Sequence, residues 1–338
     1  MQKDKLKNAT MVAALLLALA LGGCATPGGR ESMLKPLADA GRWAEALPLA
    51  QAWTRDAPGT AYAWFYLGKA QHELGIFPAA DAALQRAYAL GPDDAYVLNE
   101  LGALRRDQGR PDEAIAFYRR ALKADPQFAL AADNLGAALG VAGQWKESKL
   151  VLLRAVELNP RSALAWHNLA VAHETLDENT KAETAYRRAL ALEPAHENTA
   201  CGLGNLLDAQ KKLSAALQVY QDGIKARPDD AAIWTNMSNT LSRLERPDEA
   251  LAAAKKATEL DPTLVIAWSG LGHRWFEKHN DAAALVALNK AVSLDPALAD
   301  GWRDLVILHT SRKDKAARAK ALARLRALNP AAAAALGK

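Results

Sequence analysis

A proline recurs every 34 residues along nearly the whole chain. The nine prolines in this register are Pro58, Pro92, Pro126, Pro160, Pro194, Pro228, Pro262, Pro296 and Pro330. A unit of this length cannot bury an apolar face alone, so tandem copies must stack and share a continuous core. The period therefore predicts a solenoid in which each copy packs mainly against its two neighbours.

The composition favours helices over strands. Of the 338 residues, 50% are hydrophobic, with many alanines, and only 6% are aromatic. This composition suits closely packed helices better than a strand-rich domain. The formal net charge of +4 is too small to indicate a nucleic-acid-binding protein.

The first 23 residues have the layout of an export signal. Lys3, Lys5 and Lys7 are followed by the apolar run 11–21 and by two glycines. A run of 11 residues is shorter than the approximately 20 that a membrane-spanning helix needs. We therefore expect residues 1–23 to be a signal peptide.

Cys24 follows this signal directly. The segment 21–24, Leu-Gly-Gly-Cys, resembles the lipobox of bacterial lipoproteins, in which the cysteine is acylated. The resemblance implies a lipid anchor, and Ala25 in place of an aspartate favours the periplasmic side of the outer membrane. Residues 24–30 would then be the lipidated cysteine and a short tether. The alternative is an ordinary secretory signal with an incidental cysteine.

Two helices are predicted in each unit, which we call helix A and helix B. Helix A is expected to start at Ala61, Ala95, Ala129, Ala163, Glu197, Ala231, Val265 and Ala299. Its fourth position carries tryptophan in five of eight copies, its seventh leucine or methionine, and its eighth most often glycine. Positions four and seven share a helix face and predict a buried stripe, while the small eighth residue lets helix B approach closely.

Helix B repeats small residues at a spacing of seven, with a larger residue between them. The larger residues are Leu84, Tyr118, Leu152, Tyr186, Tyr220 and Leu288, and Ala254 is the exception. This spacing predicts a seam for helix packing.

At these positions the chain resembles the tetratricopeptide repeat family, across residues 61–330 in eight full copies. The resemblance implies an all-α fold, a right-handed α-solenoid of antiparallel helix pairs with a concave face lined mainly by helix A. It also implies binding of proteins or peptides, with no catalysis and no cofactor.

The two ends depart from the pattern. Residues 31–60 form a degenerate N-terminal copy with first helical residues near Glu31, and Pro36 and Pro48 are expected to shorten or kink its helices. The last helix is strongly basic, with Lys313, Lys315, Arg318, Lys320, Arg324 and Arg326. This charge indicates a polar cap or a docking site for acidic lipid or protein. Residues 331–338 are expected to be a tail.

Helix A residues that are not needed for packing are candidates for a peptide-binding groove. Six are asparagines, whose amides can both donate to and accept from a peptide backbone: Asn99, Asn134, Asn168, Asn205, Asn236 and Asn239. The alternative is that these amides bond within or between repeats. Tyr62 and Tyr66 are candidate apolar anchors, or else pack against the degenerate copy.

No pattern typical of an enzyme stands out. Gly202-Leu203-Gly204 lacks the third glycine of a dinucleotide loop, and the histidines six apart, such as His167 and His173, do not share a helix face. We expect no metal, no cofactor and no small-molecule substrate. The lone internal cysteine, Cys201, is expected to be an inert thiol.

Two functions fit the sequence. The first is a lipid-anchored interaction scaffold at the outer membrane, with a layout similar to the repeat-bearing lipoproteins of type IV and Tad pilus assembly. The second is an adaptor that recruits a cell-wall hydrolase, a protease or a polysaccharide-export component.

Overall fold

The computed structural model describes residues 27–196 and 198–336, and these residues form helices with no strand among them. They belong to two compact units, the first ending at Pro160 and the second beginning at Arg161. We call these unit 1 and unit 2. The predicted all-α class is confirmed.

The described residues contain nineteen helices, in which helices A have odd numbers and helices B even numbers. Unit 1 comprises α1 (Pro27–Asp39), α2 (Trp43–Asp56), α3 (Ala61–Glu73), α4 (Phe77–Leu90), α5 (Ala95–Asp107), α6 (Pro111–Ala124), α7 (Ala129–Val141) and α8 (Trp145–Leu158). Unit 2 comprises α9 (Ala163–Thr175), α10 (Asn179–Leu192), α11 (Thr199–Ala209), α12 (Leu213–Ala226), α13 (Ala231–Arg243), α14 (Pro247–Leu260), α15 (Val265–Glu277), α16 (Asp281–Leu294), α17 (Ala299–Ser311), α18 (Lys315–Leu328) and α19 (Pro330–Leu336).

Each helix A packs against its own helix B and, within a unit, helix B packs against the next helix A. The small residue at position eight of helix A makes the first contact close. A Cβ on Gly68, Gly102 or Gly272 would lie 2.6 Å from the side chain at position 24 of the same repeat. Since real Cβ atoms do not approach so closely, the large residue of helix B fills the space that the glycine leaves, as the sequence predicted.

The tryptophans at position four do more than pack. The indole N–H of Trp64, Trp234, Trp268 and Trp302 donates to the carbonyl of the proline six residues earlier, at 2.8–3.0 Å. These rings are half-buried. The periodic proline and the periodic tryptophan are therefore parts of one contact, which fixes the loop before each of these helices A.

The turn after each helix A uses a left-handed residue. In unit 1 this residue is a glycine in all four copies: Gly41, Gly75, Gly109 and Gly143. In unit 2 it is never a glycine: Asp177, Lys211, Glu245, His279 and Lys313 take φ of 56–62°. A side chain in this conformation costs on the order of 1 kcal/mol relative to glycine, so the turns of unit 2 carry strain that those of unit 1 lack.

The prolines of the N-terminal copy do not shorten its helices, which was one of the two outcomes expected from the sequence. Its helices, α1 and α2, have 13 and 14 residues, as long as those of the other copies, with Pro36 and Pro48 inside them. The helix α1 also already includes residues 27–30, which we had assigned to the tether. A proline inside a helix costs about 3 kcal/mol. The burial of Leu34 and Trp53, both 1% exposed, offsets this cost because it anchors both helices to α3 and α4.

Two further boundaries differ from the sequence prediction. Helix A of the fifth full copy begins at Thr199, after Asn198 in a left-handed conformation, and Glu197 lies outside the described residues. At the C-terminus, the expected tail contains the helix α19, which packs on α17 and α18 with Ala333 fully buried. The last repeat is therefore covered by a helix of seven residues.

Candidate protein-binding face

Helices A form one face of each unit. In unit 1, α3 contacts α5 and α5 contacts α7 directly, and in unit 2 the same holds from α9 to α15. The described helices B make no direct contact of comparable extent with one another. Because helices A approach one another more closely, each stack is tighter on the side of helix A. We call the side chains that helices A present there the helix-A face.

A buried cluster of charges lies on the helix-A face of unit 1. His72 of α3 contacts two carboxylates of α5: its Nδ1 lies 2.7 Å from Glu100 Oε1 and its Nε2 lies 3.0 Å from Asp107 Oδ2. Lys69 Nζ lies 3.4 Å from the other oxygen of Glu100. Glu100 is only 5% exposed, so its charge depends on these partners.

The electrostatics of the cluster favour the charged forms of His72 and of its two carboxylate partners. The hydrogen bond to Glu100 raises the pKa of His72 against the opposing effect of burial, and Asp107 adds to the rise. Burial alone would raise the pKa of Glu100, but the hydrogen bond from His72 and the charge of Lys69 lower it. An imidazolium donating to two carboxylates ties α3 to α5 and holds the face in one arrangement.

An amide pair continues this face toward the next repeat. Asn134 Nδ2 of α7 donates to Asn99 Oδ1 of α5 at 3.0 Å. Asn99 is buried, whereas Asn134 is half-buried and retains exposed surface. The pair bonds between repeats, one of the two roles that the sequence left open, and it leaves amide groups of Asn134 available to another molecule.

A row of apolar side chains accompanies the amides, at the second position of helix A. In unit 1, Tyr96 and Leu130 are 51% and 48% exposed, and the Tyr96 ring lies 4.7 Å from that of Phe128. In unit 2, Leu164 and Ile266 at the same position are similarly exposed. Tyr62, one of the predicted apolar anchors, also stands at position two. We did not predict that apolar residues recur at this position as a row, although the repetition was a readable signal.

The amide pair and the charged cluster line one cavity in unit 1. Its volume is about 410 Å³, and its walls come from three successive helices A. Lys69 and His72 of α3, Asn99 and Glu100 of α5, and Asn134 of α7 contribute to it, together with the apolar Leu130. A cavity of this size takes one or two side chains of a bound segment, with both polar and apolar contacts.

The two candidate tyrosines differ in how much surface they present. Tyr66 is 8% exposed and stacks on Trp53 of the degenerate copy, with ring centroids 6.2 Å apart. Burial raises its pKa to about 12. Tyr62 is half-buried beside Phe65 and keeps more accessible surface. Of the pair, Tyr62 is therefore better placed to contact a partner.

The asparagines of unit 2 have separate surroundings. Asn205 Oδ1 accepts a hydrogen bond from the Tyr220 hydroxyl at 2.7 Å, and Asn236 bonds the thiol of Cys201. Asn239 is exposed and Asn168 is half-buried.

A histidine pair in unit 2 was also not predicted. Thr199 Oγ1 lies 2.9 Å from His167 Nδ1 and 2.6 Å from His196 Nδ1, and the two rings are 5.2 Å apart. Burial and the neighbouring His196 lower the pKa of His167 to about 4, so this ring is neutral. The contact joins α9 to the start of α11 and explains how that shortened helix is held.

The other candidate positions gave the following results. Burial, with a contribution from Asp230, raises the pKa of Cys201 to about 11, so this residue is a thiol and not a thiolate. Within the described parts of the chain, no group of three or more histidine, cysteine or acidic residues is placed to hold a metal ion. No helix in these parts combines the length and apolarity that crossing a membrane requires. Cys24 and the signal segment lie outside the described residues.

Stacked helix hairpins of 34 residues, with a small-to-large contact between the helices of each hairpin, define the class of helical repeat proteins. Comparison with family models identifies the repeat. Three models described as tetratricopeptide repeat match the chain, one at residues 37–95, 74–129 and 134–197, one at 176–239 and one at 231–264. The chain belongs to the tetratricopeptide repeat family.

Solved structures support the same fold. A structure from the functional characterization of Pseudomonas aeruginosa PilF has a TM-score of 0.55 and 21% identity, covering 61% of this chain and 94% of that one. Cut9–Hcn1 of the APC/C gives a TM-score of 0.59 and 16% identity, covering 82% and 55% respectively. A tetratricopeptide repeat protein from Parabacteroides merdae has a TM-score of 0.55 and 16% identity, covering 70% of this chain and 93% of that one. A search of curated proteins returned no match.

Family membership also gives the general class of function. Tetratricopeptide repeats serve as protein–protein interaction scaffolds and are generally not catalytic. The helix-A face of unit 1, with its amides, apolar row and cavity, is the part of this chain best equipped for that role.

Proposed function

We propose that this protein is a non-catalytic scaffold, anchored by lipid at Cys24 to the periplasmic side of the outer membrane, that binds an extended segment of a partner protein. The observation that carries the binding proposal is the cavity of unit 1, because its lining brings together the amide pair, the charged cluster and Leu130 of the exposed apolar row. The lipid anchor is proposed from the export signal and its cysteine.

The chemistry of this face suits an extended peptide. The amide of Asn134 can pair with a peptide carbonyl and N–H irrespective of the partner's sequence. Tyr96 and Leu130 can cover an apolar side chain of the segment. The charged cluster beneath is already paired internally, so it supports the face without demanding a charged partner.

We further propose that the scaffold serves the assembly of a larger envelope machine, such as a pilus or a secretion system. The layout of an acylated signal followed by tandem repeats supports this proposal. The identity of captured partners tests it: pilus or secretin subunits support assembly, whereas wall hydrolases, proteases or polysaccharide-export proteins support the adaptor function.

The binding site has a direct test. We expect the double variant Asn99→Ala, Asn134→Ala to bind a captured partner with an affinity at least tenfold lower. We expect the same loss of affinity for the double variant Tyr96→Ser, Leu130→Ser. Removing both members of the amide pair leaves neither one unsatisfied, so the fold should be little affected. The matched control is Gln85→Ala, Arg86→Ala on α4, two exposed residues of a helix B in the same unit. Unchanged affinity in both groove variants, with circular dichroism intact, would refute binding at this face.

The anchor has an independent test. We expect the protein to take up a labelled fatty acid and to fractionate with outer membranes, and Cys24→Ala to abolish the label. A Cys24→Ala variant that keeps the label would show that the acylated residue lies elsewhere. Loss of the anchor leaves the groove experiment unaffected, so the two parts of the proposal fail separately.

A further inference from the structure

The C-terminal helix hairpin carries a dense positive charge. Residues 312–328 contain seven basic side chains and a single acid, Asp314, whose carboxylate accepts from the backbone N–H of Ala317. Other helices B are different: α6 and α14 both begin with a proline followed by aspartate and glutamate. The 14 residues of α18 include no acid at all.

Two of the seven basic residues have a role in the fold. Arg318 donates to Thr310 Oγ1 at 2.9 Å and to the carbonyl of Leu336, which fastens α18 to α17 and α19. The Arg324 guanidinium lies over the Trp302 ring at 5.6 Å. The other five are exposed and form no ion pair within the described parts of the chain: Arg312, Lys313, Lys315, Lys320 and Arg326. We call these five residues the basic surface.

The basic surface works against the stability of its own helix. Lys315 is the first residue of α18, at the positive end of the helix dipole, where a cation is unfavourable. Lys320 and Arg324 are four residues apart, so their like charges repel on one side of the helix. A polar cap needs neither feature, because mixed charges make a surface equally soluble. The arrangement therefore points to an anionic binding partner.

The geometry of α18 favours a membrane surface over an acidic protein. Four alanines run along the middle of its exposed side, at spacings of three and four residues: Ala316, Ala319, Ala323 and Ala327, all exposed. From their spacing, Lys315 and Arg326 lie on one flank of this strip and Lys320 lies on the other. Long basic side chains on both flanks of a narrow apolar strip reach phosphates while the helix lies flat on a bilayer.

The extent of the surface leads to the same partner. From Lys315 to Arg326 the charges span about 17 Å along the axis of α18. They are spread over about three turns and do not converge on one point, as they would to bind a single carboxylate or phosphate. A bilayer offers anionic headgroups over any such length.

We propose that the basic surface of α18 binds anionic phospholipid, giving unit 2 a contact with a membrane that is independent of any acyl chain. The contact is electrostatic, so it should weaken as salt rises and should require anionic headgroups.

Vesicle sedimentation tests the proposal with the full chain carrying Cys24→Ala, so that no acyl chain contributes. We expect this parent protein to bind vesicles of phosphatidylcholine with 30% phosphatidylglycerol and not vesicles of phosphatidylcholine alone. The triple variant Lys315→Gln, Lys320→Gln, Arg326→Gln should bind about a hundredfold more weakly, from roughly a fivefold loss for each of the three cations removed near an anionic surface. Glutamine is a good helix former, so α18 should persist.

The matched control removes the same charge from unit 1. Arg86→Gln, Lys123→Gln, Lys146→Gln changes three exposed basic residues and should retain the binding of the parent. Equal losses in the two triple variants would attribute binding to net charge and overturn the proposal. Binding to phosphatidylcholine alone would overturn it as well. If the parent protein binds neither kind of vesicle but binds poly-glutamate through the same three residues, the partner of the basic surface is an acidic protein and the lipid proposal is wrong.

Discussion

Three tyrosines at one structural position allow a sharp test of whether the buried hydroxyl groups of the repeat core form hydrogen bonds. Tyr118, Tyr186 and Tyr220 all stand at position 24 of their repeats, and all are 2% exposed or less. The Tyr186 hydroxyl donates to Glu174 Oε2 at 2.7 Å and the Tyr220 hydroxyl donates to Asn205 Oδ1 at 2.7 Å. The Tyr118 hydroxyl is buried without a hydrogen-bonding partner among the described residues.

Replacement by phenylalanine should therefore act in opposite directions. Tyr220→Phe loses a neutral hydrogen bond worth about 1 kcal/mol and leaves a carbonyl oxygen on an exposed residue, which water can satisfy. Tyr186→Phe loses a bond to a carboxylate, worth about 2 kcal/mol. Tyr118→Phe removes a buried hydroxyl whose desolvation costs roughly 1–3 kcal/mol, so it should stabilise the protein by up to that amount.

Urea unfolding, monitored by circular dichroism, measures these differences. The midpoint urea concentrations of the variants are compared under the condition that the m-value, the slope of the unfolding free energy against urea, is unchanged. The ring remains in every variant, so packing against position eight is a constant. A Tyr118→Phe protein that unfolds at lower urea than the parent would refute the reasoning, because it would show that the hydroxyl makes a favourable bond.

Four more outcomes follow from the structure. Gly272→Ala should destabilise the protein by about 1–3 kcal/mol because the new methyl group clashes with helix B. Gly270→Ala, two residues away and with open space beside it, should stabilise the protein by up to about 1 kcal/mol. Equal shifts of the melting temperature in the two variants would contradict this. Glu245→Gly should stabilise unit 2 by about 1 kcal/mol in urea unfolding, since it relieves a left-handed side chain, and a destabilised variant would contradict the strain. The fold raises the pKa of His72 above its ordinary 6.5, so the contribution of His72 to folding stability is complete below pH 6.5 and is lost as the pH rises through the pKa of the folded state. The melting temperature should fall over that pH range. His72→Gln should flatten the dependence of the melting temperature on pH. Cys201, with a pKa of about 11, should react slowly with maleimide at pH 7 and faster as the pH approaches 10, and rapid labelling at pH 7 would disprove a neutral thiol.

The periodicity of the sequence predicted most of the fold. Helix A starts at the predicted residue in seven of the eight full copies, because small and large residues at fixed offsets leave few other ways to pack two helices. The exception is the copy that begins at Thr199. There a hydrogen-bonded contact with His167, 32 residues away, sets the start of the helix, and a local pattern does not reveal it.

Less of the candidate site was predictable. The asparagines were visible as residues, but only the coordinates show that Asn134 bonds to Asn99 while Asn205 bonds to a tyrosine of its own repeat. Nor did the sequence reveal that His72 joins two carboxylates from the next helix A. Such contacts depend on how neighbouring repeats are set against each other, which residue spacing within one repeat does not specify. The expectation that Pro36 shortens its helix was wrong for a similar reason, because tertiary burial outweighed helix propensity.

The pairing of positions 8 and 24 has a consequence for how such a chain can change its length. Gly102 faces Tyr118 and Gly68 faces Leu84, so each pair formed by positions 8 and 24 is contained between two successive periodic prolines. Duplicating or deleting a segment cut at the prolines keeps all these partners together, whereas a cut between the two helices would mix partners from different copies. The boundaries that preserve packing are thus also the natural joints for insertion, loss or exchange of whole modules.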